Sequence, residues 1–248
     1  MSNGSVCFTF ALTLVLPLSA ARRILRQESA MTSPSPLATK ALLEFNEVER
    51  EFDPGSLFSS GDPKLLNSYP RISVVGSRKA SERGLETARK ISEAIVGRGG
   101  VVVSGLARGI DTAAHKAAIE ANGRTIAVLG TGLDISYPKE NAELQECISK
   151  EHLVISQFPD GTPPRRGNFP MRNKTMALLS HCSIIVEAGE SSGTEHQGWT
   201  ALKLARPLLF PEELLEKDFS WPREMQEYGA IAFSPTNINS WLDQIFWQ

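Results

Sequence analysis

From Arg71 onward the chain alternates short β-branched runs with longer helical stretches. This pattern specifies a parallel sheet covered by helices, because successive parallel strands must be joined by a crossover of a dozen or more residues. The strand runs are 72–75, 101–103, 125–129, 153–156, 184–187 and 207–210, and the helical stretches lie near 82–96, 112–121, 140–150, 173–179 and 195–204. Runs such as Val101, Val102 and Val103 have no polar face, which marks strands buried on both sides. The expected fold class is α/β: Rossmann-like and doubly wound, a mostly parallel sheet with helices on both faces. Beyond Gly229, a last strand at 230–233 and a helix near 238–246 with Asn237 as its cap complete the pattern.

Residues 1–30 form a separate apolar N-terminal segment. Positions 6–21 are nearly all apolar and are followed by Arg22, Arg23 and Arg26. A secretory signal would place its charges first. Pro17 and Ser19 interrupt the run, which is also short against the roughly 20 residues of a membrane helix. Three readings stay open: a start-site extension with Met31 as the natural first residue, the remnant of a helical domain, or a membrane anchor. Residues 31–68, with their Ser-Pro-Ser-Pro stretch and turn-rich end, read as a lead-in to the α/β domain of residues 69–248.

Lys and Arg number 26 against 28 Asp and Glu, so the net charge of -2 supplies no global attraction for a polyanion. Any nucleic-acid contact must come from a local basic patch. Cys7, Cys147 and Cys182 show no paired spacing, which argues against structural zinc and against a secreted disulfide framework. A reducing cytoplasm fits this usage. His152 and His181 stand apart from other ligand types, so neither a metal nor a cofactor is expected.

In sheets of this class ligands bind beyond the carboxyl ends of the strands. The distinctive residues lie there: Gly76, Ser77 and Arg78 after the first strand, the segment from Ser104 and Gly105 through Arg108 to Asp111 after the second, Gly130 and Gly132 after the third, and Gly193 and Thr194 after the fifth. Glycine permits close approach to phosphate, and a helix start offers free N–H groups. The competing reading is that these glycines only make tight turns. No loop completes the dinucleotide fingerprint or carries a Walker lysine, which disfavours NAD and ATP. The densest basic stretch runs through Arg165, Arg166, Phe169, Arg172, Asn173 and Lys174. Cations with an interleaved ring are what single-stranded nucleic acid uses; a solvated loop whose Phe169 fills the core is the equal alternative.

The run from Val74 to Arg78, the segment from Ser104 to His115, Gly130–Gly132 with Leu133, Asp134, Tyr137 and Pro138, the segment from Gly161 to Arg166 leading to Phe169, Pro170, Arg172 and Asn173, and Val186–Gly189 with Ser192–Thr194 occur in this order over residues 70–210. Together they resemble the signature of the DNA-processing A (DprA/Smf) family, over its Rossmann-like core. The resemblance implies a non-catalytic protein that binds single-stranded DNA in natural transformation or recombination and hands it to a RecA-type recombinase. It also implies a homodimer. By position it assigns DNA contact to Arg78, Arg166 and Phe169, with Arg172 and Lys174 extending the site.

The polar run from Thr194 to Trp199 departs from the aliphatic helix usual in the family, marking a divergent branch; Glu195 and His196 either line the site or cap the helix. A reading from another class is a nucleotide-binding protein or phosphoribohydrolase of the lysine-decarboxylase-like superfamily, whose loop ends in a catalytic Glu. Gln197 holds that position and cannot serve as acid or base, leaving Glu187, Glu195 or Asp111 as substitutes. Asp111 and His115, spaced i, i+4, form either a structural or a catalytic pair.

Overall fold

The computed structural model describes residues 36–38, 44–189, 193–234 and 236–246. The apolar run at 6–21 lies outside them. No helix among the described residues is long and apolar enough to cross a membrane.

In chain order the elements are β1 (Pro36–Ala38), α1 (Glu47–Arg50), β2 (Ser56–Gly61), β3 (Arg71–Gly76), α2 (Glu82–Val96), β4 (Val101–Ser104), α3 (Ile110–Glu120), β5 (Arg124–Leu129), α4 (Ala142–Glu151), β6 (Leu153–Ser156), α5 (Asn168–Leu179), β7 (Cys182–Glu187), α6 (Gly193–Lys203), β8 (Leu208–Pro211), α7 (Trp221–Glu227), β9 (Ile231–Phe233) and α8 (Ile238–Phe246). The sheet order is β1-β2-β6-β5-β4-β3-β7-β8-β9. Every pairing from β6 across to β9 is parallel, as the alternating pattern predicts.

Alternate residues of each strand feed opposite faces. Ile72, Val74, Val102 and Ile184 pack under α2, α3 and α8, whereas Val75, Val101, Val103 and Ile185 pack under α5, α6 and α7. This period-2 division of continuous apolar runs is why no polar face shows in the sequence.

The lead-in differs from expectation. Within it β2 runs antiparallel to β6, from Phe58 opposite Ser156 to Gly61 opposite Leu153, and β1 pairs with β2 in turn. Of β2 only Leu57 is fully buried, so this strand carried no apolar run to announce it.

The start of α5 also differs: the helix begins at Asn168, five residues before 173. Pro170 is its third residue, a position whose N–H has no helical partner, so proline costs nothing there. At the other end two guanidinium groups hold the last carbonyls. Arg71 donates from Nε to Leu179 O at 2.6 Å, and Arg206 donates to the carbonyls of Ala177, Leu178 and Ser180. Cations suit a helix C-terminus electrostatically as well as by hydrogen bonding. Arg206 is paired in turn with Glu49 of α1 at 2.5 Å. A clamped C-terminus fixes the axis along which α5 delivers its first turns to the carboxyl edge of the sheet.

Candidate functional site

Strand order reverses direction between β3 and β7, because the chain passes from β3 outward through β4, β5 and β6 and then returns to the other side of β3. A crevice of about 960 Å³ opens at the carboxyl ends of these two strands, the place where such sheets bind ligands. It is lined by Gly76, Ser77, Arg78 and Lys79, by Arg166, Phe169, Arg172, Asn173 and Met176, by Gly193, Thr194, Glu195 and His196, and by Asp111, Glu187 and Lys217.

Four of the lining cations, Arg78, Lys79, Arg166 and Lys217, are exposed. Arg78 places its guanidinium carbon 4.8 Å from the centroid of the half-buried Phe169 ring. Glycine at 130 lets that ring settle onto the backbone, since a Cβ there would lie 2.9 Å from its edge. The acids nearby do not offset these cations equally. Asp111 is buried and its carboxyl is pushed above the usual range by desolvation, which Arg172 and Arg78 only partly oppose. The Glu187 carboxylate accepts hydrogen bonds from Ser81 N at 3.1 and 3.2 Å and from Ser81 Oγ at 2.6 Å. Glu195 remains as the half-buried acid of the rim.

That position of Glu187 has a chemical consequence. The N-terminus of α2 is where a Rossmann site holds the ligand pyrophosphate. Here it already faces a carboxylate, and a Cβ on Gly84 would collide with it. A phosphate at that spot meets charge repulsion, which leaves the Arg78 side chain as the cationic group this loop presents to the crevice.

Several expected site residues stand elsewhere. Arg108 forms a two-pronged pair with Glu140, at 2.5 and 2.6 Å, in a separate groove beside α2 and α3. The loop turns at Gly109, with φ of +73°, and carries Arg108 away from the crevice. Ser104 is buried and donates to Val74 O at 2.7 Å. Lys174 and Arg165 are exposed but do not line the crevice. For Lys174 the reason is helical: on α5 the crevice face carries 169, 172, 173 and 176, and 174 projects from the other side.

Arg172 lines the floor with its guanidinium buried. It donates from Nη1 to Val128 O at 2.9 Å and to Gly105 O, and Gly105 must be glycine because a Cβ would occupy the guanidinium's place. Gly130 accepts from Asn168 Nδ2 at 3.0 Å and Gly132 donates to Thr162 O at 3.0 Å. The Gly130 carbonyl and the Gly132 N–H therefore hold the loops together. Asn173 donates to Gly193 O at 2.8 Å, joining α5 to the start of α6. Lys217 reaches the crevice from a segment far along the chain, and no local motif announces it.

Gln197, at the position of the hydrolase carboxylate, is fully buried away from the crevice and bonds Ser73 and Ser183 Oγ at 3.1 and 3.2 Å. Gln197→Glu should create no hydrolase. It should instead bury a carboxyl, and its stability deficit, of about 1–3 kcal/mol, should grow from pH 5 to pH 8 as that carboxyl is forced to ionise. Urea unfolding at the two pH values measures this; equal stability with new base release would reverse the assignment.

Asp111 and His115 do not pair. His115 Nδ1 lies 2.7 Å from Thr125 Oγ1, whose own proton goes to Val102 O at 2.9 Å, so Nδ1 is the donor. Its Nε2 is buried without a partner among the described residues, and burial lowers the imidazole to about 3. The unfolded chain then binds the extra proton, so stability falls as pH drops below about 6.5, by on the order of 3 kcal/mol at pH 4.5. His115→Gln should flatten this limb of the pH–stability curve; an unchanged slope would contradict the assignment.

The chain matches the family model described as DNA recombination-mediator protein A over residues 44–244. It is 36% identical to the DNA processing protein DprA of Bacillus subtilis over 180 residues, covering 72% of this chain and 61% of that protein. Among solved structures it is similar to DprA from Streptococcus pneumoniae, with a TM-score of 0.73 and 33% identity over 88% of this chain and 77% of the other. It is also similar to DNA processing protein A from Helicobacter pylori, described for its single-stranded DNA binding mode, with a TM-score of 0.72 and 26% identity over 86% of this chain and 95% of the other. The chain spans about a third to three fifths of the length of the curated relatives it matches. A collinear match over most of its length, joined to the same fold, establishes that the chain belongs to the DNA recombination-mediator protein A family.

Proposed function

We propose that this chain binds single-stranded DNA in the crevice between β3 and β7, with Arg78 and Arg166 on phosphates and Phe169 against a base. The observation that carries this reading is that four exposed cations line one crevice, with one of them, Arg78, over the Phe169 ring, on a chain whose net charge is -2. Cations tracking a backbone beside a stacking ring suit unpaired strands of any sequence. The similarity to the Helicobacter pylori protein, described for its single-stranded DNA binding mode, supports it. The reading needs no bond to be made or broken. It extends to a cytoplasmic homodimer, acting in transformation or recombination and passing the strand to a RecA-type recombinase.

Ligand length tests it. A labelled single-stranded oligonucleotide should bind with an affinity that falls as salt rises, by about 0.7 in logarithmic slope per phosphate neutralised. A mononucleotide should compete poorly and release no free base. Tight mononucleotide binding, or base release, would replace this reading with the nucleotide-binding one.

A further inference from the structure

The loop between β5 and α4 presents a ring that the basic motifs do not include. Tyr137 is 42% exposed, one of the few large apolar side chains so open. Its ring lies 5.6 Å from that of Phe169, centroid to centroid, with the planes at 36°.

The loop that holds it is braced at both ends. On one side Asp134 accepts from Gly161 N at 2.9 and 3.0 Å, and Thr131 Oγ1 donates to Ile135 O at 3.0 Å. On the other, Asn141 donates to Leu106 O at 2.9 Å and to Thr112 Oγ1 at 2.8 Å. A ring on a fixed loop loses little conformational freedom when it takes a ligand.

Phe169 is the more encumbered of the two rings: the Gly130 backbone lies against it and the Arg78 guanidinium stands over it. A base inserted between Phe169 and Tyr137 would need about 7 Å, two stacking distances, which the spacing does not allow. Each ring therefore serves a different base.

We infer that Tyr137 is a second base-stacking residue, so that the site receives two unstacked bases of one strand, one on Phe169 once Arg78 moves from its ring to a phosphate and one on the open face of Tyr137. This rests on the single-stranded DNA reading and deepens it: the ligand must present its bases, which paired duplex does not.

The test measures anisotropy of a labelled single-stranded oligonucleotide, and of a fully abasic strand of equal length, with wild type, Tyr137→Phe and Tyr137→Ala. On the normal strand Tyr137→Ala should bind about 5- to 150-fold more weakly and Tyr137→Phe within about twofold of wild type, with the salt slope unchanged because no charge is lost. On the abasic strand the difference between Tyr137→Ala and wild type should vanish, since there is nothing to stack. Wild-type binding that Tyr137→Ala leaves undiminished, or an equal loss on the abasic strand, would overturn this inference alone. Failure of the wild type to bind would overturn the nucleic-acid reading and this inference with it.

Discussion

Arg172→Ala should lower the unfolding free energy by about 3–5 kcal/mol, since it leaves two buried carbonyls unsatisfied, each costing about 1–3 kcal/mol, and removes a cation that favours the Asp111 carboxylate. For a folded unit of this size that is a fall in Tm of roughly 6–20 °C. The size follows from what the side chain touches. It is 4% exposed, it bonds carbonyls from the loop after β4 and from β5, and its charge faces the buried Asp111. Truncation strands two carbonyls and leaves that carboxyl without its nearest counter-charge. A surface cation that met only DNA would cost about 0.5 kcal/mol or less. Urea unfolding followed by circular dichroism decides between them, and Arg172→Lys should rescue poorly because one ammonium cannot reproduce the planar fork.

Phe169→Ala should weaken single-stranded DNA binding by about 1–3 kcal/mol, roughly 5- to 150-fold, while leaving the salt slope near its wild-type value. The ring is half-buried, so the fold should survive the change. Its loss removes a stacking face and the surface over which Arg78 is held. Arg78→Ala should differ in kind, lowering the slope by about 0.7 through the loss of one phosphate contact. Affinity measured at several salt concentrations separates the two effects. A Phe169→Ala variant that binds like wild type would mean the ring serves only to pack against Gly130 and Tyr137.

The parallel sheet was legible because its strands are continuous apolar runs whose alternate residues serve two cores. The strand β2 was not, since a strand with one buried residue looks like a turn-rich loop. The first turn of α5 was not legible either, because it holds Pro170, which a helix tolerates only in its first turn. That shift carried over to the site: with the helix begun at 173, Arg172 reads as a loop cation beside Arg166, but the helix from Asn168 buries Arg172 in the floor and turns Lys174 outward, while Arg166 before it stays on the rim. Charge alone could not reveal that Arg108 is paired with Glu140, 32 residues away, or that Lys217 closes the far side of the crevice. Arg78, just past the end of β3, was expected at the crevice because in this fold the strand ends mark it, whereas Phe169 was placed there by the family resemblance.

The central claim, that DNA occupies the β3–β7 crevice, is tested most directly by oligonucleotide anisotropy at two salt concentrations on four alanine variants: Arg78→Ala and Arg166→Ala at the rim, Arg108→Ala and Lys174→Ala outside it. All four remove one positive charge, so a nonspecific effect of net charge would weaken them alike. The account predicts that the rim variants lose affinity with a shallower salt slope while the outer two stay within about twofold of wild type. Equal losses in all four, or losses confined to Arg108→Ala and Lys174→Ala, would contradict it.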